Sequence, residues 1–416
     1  MPNKQTLRTG RTGPITLLSL GHACVDVYQG SVAALVPFFV SERAYSYAAA
    51  SGIVLAASLL SSVVQPLFGA LTDKWAMPWL LPVSTLVGGA GVALAGVGGS
   101  YAFTVAVVAV SGIGVAAYHP EAARLARAAS GGSHTAMGWF SLGGNLGFAT
   151  APLVVSAVIA TGGLGASPLL VVPALAGAVL CVTALRGVVA PAAAGSGAGA
   201  GRAAGGDDWV SFMKLSGAVV CRSIVFVGLS AFISLYVRMR TGGGEVAGTA
   251  ALFELYIGGA VGTVVGGKLA ARYGRLPVAR WSYALTVLAV AGVVLVPGPA
   301  LYACVALASA GLYVPFSLHI TLAQDYLPRR VGTASGVTLG LAVSVGGIAS
   351  PVIGAVADAT ALRTALAPLI ALPALGWFLL RTLHEPETLE AAAGRPSAPA
   401  VPEPAADATS RPGAPR

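Results

Sequence analysis

Charge is what this chain has least of. Only 9% of its 416 residues are Asp, Glu, Lys or Arg, where soluble domains carry about 25%, and that excludes an ordinary water-soluble globule. Acidic residues are scarcer than basic ones, 15 against 24, which leaves a net charge of +9. The basic excess falls in short clusters between apolar stretches and forms no stripe, so no nucleic-acid partner is expected. Cysteine is almost missing. Cys24, Cys181, Cys221 and Cys304 stand singly within apolar segments, with no spacing suited to a metal site or a disulfide framework. There is also no HExxH zinc motif, no GxSxG nucleophile turn and no Walker loop. A membrane-embedded enzyme is therefore disfavoured, and no cofactor is expected.

What the chain has is apolar length. Hydrophobic residues make up 56% of it and the mean hydropathy is +0.80. Hydropathy predicts twelve spans, near 15–40, 47–72, 78–99, 101–119, 134–160, 166–187, 211–237, 246–270, 277–296, 299–324, 331–357 and 362–383. The basic N-terminus is followed by an apolar segment too long for a signal-peptide core and without an evident cleavage site, so the first span is expected to be retained. The expected division is a tail over 1–14, a six-helix bundle over 15–187, a Gly/Ala-rich linker over 188–210, a second six-helix bundle over 211–383 and a Pro/Ala/Glu-rich disordered tail over 384–416. Loops on the N-terminal side collect Lys4, Arg8, Arg11, Lys74, Arg124, Arg127, Arg186, Arg202, Lys214, Lys268, Arg272, Arg275, Arg280, Arg329, Arg330 and Arg381. Those on the other side hold Arg43, Arg238, Arg240 and Arg363. Positive-inside topology then puts both termini in the cytoplasm.

The halves repeat. Gly69 of GALTDKW and Gly267 of GKLAARYGR stand 198 apart, Gly147 with Pro152 and Gly346 with Pro351 stand 199 apart, and His119 and His319 stand 200 apart. Such an offset implies two similarly oriented bundles. Glycines four apart at 143 and 147, at 258, 262 and 266, and at 332, 336 and 340 suit close helix contacts. The expected fold class is an all-α polytopic membrane protein of twelve transmembrane helices in two pseudo-symmetric halves.

The first span carries the sharpest anomaly. His22 and Asp26 are four apart and share a helix face that Gln29 continues. An ionised group at bilayer depth is costly enough that it faces a wet cavity or a partner.

Twelve spans, parallel halves, a central linker and the partial loop signature Gly69, Leu71, Asp73, Lys74 resemble the major facilitator superfamily. The second copy of that signature keeps Gly267, Leu269, Arg272, Gly274 and Arg275, with Ala271 at the acidic position. Within the superfamily, GHACVDVYQGSVAALVPF at 21–38, PLFGALTDK at 66–74, AYHPEAARLA at 117–126, GGNLGFATAPL at 143–153 and QDYLPRRVGTASG at 324–336 are similar to the fosmidomycin resistance protein family of bacterial efflux transporters. The resemblance implies alternating-access, proton-driven export of small toxic compounds across the bacterial inner membrane, with spans 1, 4, 7 and 10 lining a central cavity. The implied partners are a small-molecule substrate, protons and the lipid bilayer, and the default state is a monomer. An importer of a small organic acid or sugar by proton symport is the alternative.

On that frame Asp26 is the expected proton carrier. His22 either relays protons or hydrogen-bonds and orients it. Arg222, near the middle of span seven, is expected to be the intermittent partner of Asp26 or the anchor of an anionic substrate group; a permanent pair tying the halves together is the plainer alternative. Gln29, Phe226 and Tyr313 are candidate substrate contacts. His119 and Glu121, flanking Pro120, are expected where span four breaks or kinks at the cytoplasm, as a gate or as a cap paired with Arg124. Asp73, Lys74, Arg272, Arg275, His319, Gln324 and Asp325 are expected in cytoplasmic gating networks. Gly144 and Gly147 are expected to shape contact between helices without touching ligand.

Overall fold

Apolar stretches of this length satisfy their backbone in lipid by coiling into helices. The computed structural model describes residues 12–130, 134–188 and 206–386, and among them it shows helices and no strand. The first half holds α1 (Thr12–Arg43), α2 (Tyr47–Lys74), α3 (Leu80–Leu94), α4 (Tyr101–Ser130), α5 (His134–Gly162) and α6 (Val172–Val188). The second half holds α7 (Trp209–Thr241), α8 (Gly244–Tyr273), α9 (Arg275–Leu295), α10 (Ala300–Tyr313), α11 (Phe316–Tyr326), α12 (Val331–Ala359), α13 (Leu362–Leu366) and α14 (Ala371–Arg381). At 1.5 Å per residue α1 is about 48 Å long, more than the ~30 Å hydrocarbon layer requires.

Eight helical stretches among the described residues are long and apolar enough to cross a bilayer. One of them, Ala136–Gly187, runs 52 residues and holds two passes, α5 and α6, around a 3-10 segment at Gly163–Val171. A helix bent by 46° within Gly244–Tyr273 and the shorter apolar helices Leu80–Leu94 and Ser344–Ala359 complete the twelve. The tenth pass is split into α10 and α11, because Pro315 withholds an N–H and restricts the residue before it. Glycine makes the sharpest reversals, with Gly242 closing α7 at φ +68° and Gly274 turning α8 into α9 at φ +87°.

One expectation is corrected here. Pro120 neither ends nor interrupts α4, which continues through the Ala/Arg-rich run to Ser130. The expected linker falls largely, and the two tails mostly, outside the described residues.

Two glycine rows perform as their spacing implies. A Cβ at Gly143 would lie 2.2 Å from the Ser19 carbonyl oxygen, and one at Gly147 would lie 2.0 Å from that of Ala23, so α5 meets α1 backbone to backbone. Gly262 and Gly266 come close to the backbone at Tyr313 and Val314 of the tenth pass, and Gly258 makes room for the Ser309 side chain. Of the third row, the surroundings of Gly332 and Gly336 lie outside the described set, and Gly340 has no neighbour within 4 Å of a built Cβ.

The halves touch where α2 meets α12 and where α5 meets α8. At the α2 N-terminus the Asp358 carboxylate of α12 accepts the backbone N–H groups of Tyr47 at 2.7 Å and Ala48 at 2.9 Å. This carboxylate from one half caps a helix of the other, at the dipole end that favours negative charge.

Candidate functional site

Asp26 is buried among protein groups, with 8% of its surface exposed. Its oxygens meet two imidazoles: Oδ2 is 3.3 Å from His22 Nε2, and Oδ1 is 3.1 Å from His119 Nε2. His22 reaches it by helical spacing on α1, and His119 by α4 packing against α1. Each imidazole is held from its other nitrogen. His22 Nδ1 is 2.9 Å from the Phe140 carbonyl and stacks on that ring, with centroids 4.3 Å apart. His119 Nδ1 is 2.7 Å from the Val115 carbonyl. A carbonyl can only accept, so both Nδ1 atoms carry hydrogen and both Nε2 atoms are left for the carboxylate. Two neutral imidazoles would then turn lone pairs toward Asp26, and the contacts become attractive only when a proton lies between. The ligand-type atoms of the three residues fall within 4.8 Å of one another, a spread that also admits a small cation.

Room for this cluster comes from Gly144. A Cβ there would stand 2.6 Å from Asp26 Oδ2 and 2.7 Å from His22 Nε2. Position 144, expected to be purely conformational, is part of the cluster's wall.

One turn along α1 and α4 lies a partly open cavity between the halves, with about 100 Å³ of room inside. The first half lines it with Tyr28, Gln29, Ser58, Ser61, Ser111 and Phe148, and the second with Phe226, Ser230 and Tyr256. Gln29 and Phe226 were expected on the substrate path, and both are in the wall. Val115 is in the wall too, and its carbonyl holds His119, so cavity and cluster share a residue.

Arg222 is elsewhere. It makes no ion pair with Asp26; its guanidinium donates to the Leu312 carbonyl at 3.1 Å and lies 5.0 Å from the centroid of Phe316. A permanent Asp26–Arg222 pair tying the halves is therefore not how this structure is built. Tyr313 stands edge-on to Phe226 at 5.3 Å, one layer behind the cavity wall.

The expected gating residues separate into groups. His119, expected in a gate, belongs to the Asp26 cluster. Glu121, completely buried, is bound by both Arg124 Nε and Nη2, as the cap reading anticipated. Arg275 joins Asp325 and Glu385 in an ion-pair network, while Arg272 lies 5.2 Å from the Tyr273 ring. Lys74 is exposed at the end of α2, Gln324 is half-buried on α11, and the Asp73 side chain lies outside the described set. His319 is 1% exposed against Tyr283, away from that network.

Sequence reading missed Phe140, Phe148 and Tyr256. None is charged, and only the packing of α5 and α8 shows their place.

The model described as Major Facilitator Superfamily matches residues 18–351. The fosmidomycin resistance protein of Escherichia coli (strain K12) is 29% identical over 379 residues, covering 88% of this chain and 91% of the relative. The uncharacterised MFS-type transporter YfnC of Bacillus subtilis (strain 168) is 28% identical over 379 residues, 87% and 90% of the two chains. A bacterial homologue of the human lysosomal transporter Spinster, solved inward-facing and occupied, superposes with a TM-score of 0.76 over 90% of this chain and 97% of its own, at 14% identity.

Proposed function

Because the chain belongs to the major facilitator superfamily, we propose that it is a proton-coupled exporter of small toxic compounds of the fosmidomycin type. On this reading it works in a bacterial inner membrane with both termini cytoplasmic. The observation that carries the proposal is the buried His22–Asp26–His119 cluster next to an inter-bundle cavity.

The cluster is the proton site. With both Nδ1 atoms engaged, an added proton has one place to go, between an Nε2 and the Asp26 carboxylate. Leaving that carboxylate unprotonated beside two lone pairs is costly in a medium of low dielectric. Proton loss therefore loosens the link between α1 and α4, and α4 and α1 both line the cavity. Substrate in the cavity and proton in the cluster compete for one arrangement of these two helices, which couples export to proton entry. The contacts between halves at the Asp358 end support a resting state closed at that end and open toward the termini. The resemblance to the fosmidomycin resistance protein supports the export direction over symport.

The test uses inverted vesicles. An inside-acid proton gradient should drive a phosphonate antibiotic into vesicles carrying the wild-type chain and not into empty ones. Accumulation driven only by an inside-alkaline gradient would instead establish the importer.

A further inference from the structure

The repeat sets the Asp26 cluster beside a second one built from the same positions. At the offset of 200 that links His119 to His319, His22 corresponds to Arg222 and Asp26 to Phe226. The first half thus holds two imidazoles around its own carboxylate. Its counterpart keeps the cationic and imidazole members and replaces the carboxylate with a phenyl ring.

The chemistry left over is that of an anion site without its anion. Arg222 is 4% exposed, and no carboxylate among the described residues pairs with it. Its Nε finds no hydrogen-bond acceptor. His319, 1% exposed, has a partner on neither ring nitrogen, and the buried hydroxyl of Tyr313 has none. The guanidinium acts electrostatically on both of these residues. Arg222 is tied to Leu312, next to Tyr313, and to Phe316, one helical turn before His319. Buried polar groups are normally satisfied and a buried cation without a counter-charge is costly, so this neighbourhood of unfilled donors calls for a ligand. Phe226, at the position of the missing carboxylate, lines the central cavity and packs on Tyr313, so this ring stands between the cavity and the Tyr313 side chain.

We propose that Arg222, His319 and Tyr313 form a recognition subsite for a tetrahedral oxyanion such as a phosphonate or phosphate head group, entering from the cavity past Phe226. This deepens the export reading and rests on it for the claim that the ligand is cargo. A guanidinium N–H, an imidazole N–H and a phenol O–H are three donors, carried by α7, α11 and α10. A tetrahedral head spreads three or more oxygens over different directions, whereas both oxygens of a carboxylate lie in one plane. His319, expected at the cytoplasmic gate, is then a specificity residue.

The experiment is equilibrium binding by isothermal titration calorimetry on the purified full chain, with no proton gradient present. The probes are phenylphosphonate, benzoate and benzylammonium, which share a ring and differ in the head group. Wild type should bind phenylphosphonate at least tenfold more tightly than benzoate and should not bind benzylammonium. Arg222→Gln should abolish binding of both anions, and His319→Gln should weaken phenylphosphonate about tenfold while weakening benzoate less. Phe226→Asp, which restores the carboxylate of the first half, should fold and lose phenylphosphonate binding because the site then holds its own anion. The proposal is overturned if wild type prefers benzoate or benzylammonium, or if Phe226→Asp and Arg222→Gln bind phenylphosphonate as wild type does. Since no gradient is used, failure of proton coupling in the vesicle assay leaves these outcomes untouched, and failure here leaves proton-driven export of other cargo standing.

Discussion

Asp26 keeps two imidazoles in contact because residue 144 has no side chain. Gly144→Ala would put a methyl carbon 2.6 Å from the carboxylate, and the surrounding helices cannot yield where Gly143 and Gly147 already sit on the α1 backbone. Overpacking of this kind costs about 1–3 kcal/mol. The expected outcome is a folded protein with a lower melting temperature and at least a tenfold fall in gradient-driven transport, read by scanning fluorimetry and vesicle uptake. At this scale the sequence told part of the story. His22 and Asp26 were legible because helical spacing alone puts them on one face. His119 was not, since it lies 93 positions from Asp26 and its neighbouring proline looked like a helix end. The Ala/Arg run that follows is strong helix-forming sequence and carried α4 past the proline. Arg222 was singled out for its charge, but its direction depends on the Leu312 carbonyl and the Phe316 ring, which no spacing reveals.

Helix ends are where elements show their local chemistry. Asp208 caps α7 by accepting the backbone N–H of Ser211 at 2.9 Å. Hydrogen bonds from Ser211, first from its side chain and then from its backbone, hold the Asp208 carboxyl below its ordinary range. A carboxylate whose pKa is depressed on folding adds stability that is fully present above its unfolded value of about 4 and fades as pH drops through the folded value. Asp208→Ala should therefore destabilise the protein by about 0.5–2 kcal/mol at neutral pH, and the gap from wild type should close in acid. Melting curves of both proteins from pH 7 to pH 3 check the sign. Span limits were largely legible because hydropathy reports burial in lipid, as with 47–72 against Tyr47–Lys74. The break of the tenth pass was missed: hydropathy runs on through Pro315, and only backbone geometry stops there. The glycine rows at 143 and 258 were read correctly from spacing, while Gly340 shows that the same spacing can border open space.

The whole molecule is two bundles joined by a latch, with Asp358 of α12 capping α2 across the divide. Nearer the middle of these helices a Cβ built on Gly347 lies 2.9 Å from that of Ser58. Cysteines at 58 and 347 are close enough to bridge after a small adjustment. The Ser58→Cys/Gly347→Cys protein should form the bond under oxidation, lose transport, and recover it on reduction, as expected if the halves must part here in each cycle. Retained transport with the bond formed, as judged by mass spectrometry, would place the moving contact elsewhere. The two-bundle plan was legible from the internal repeat, but the latch was not, because Asp358 and Tyr47 meet only once the halves are docked. The most direct test of proton coupling through the His22–Asp26–His119 cluster is to compare two activities of Asp26→Asn in proteoliposomes, downhill substrate exchange and accumulation driven by a pH gradient. Exchange should persist while accumulation vanishes; accumulation at the wild-type rate would contradict the account.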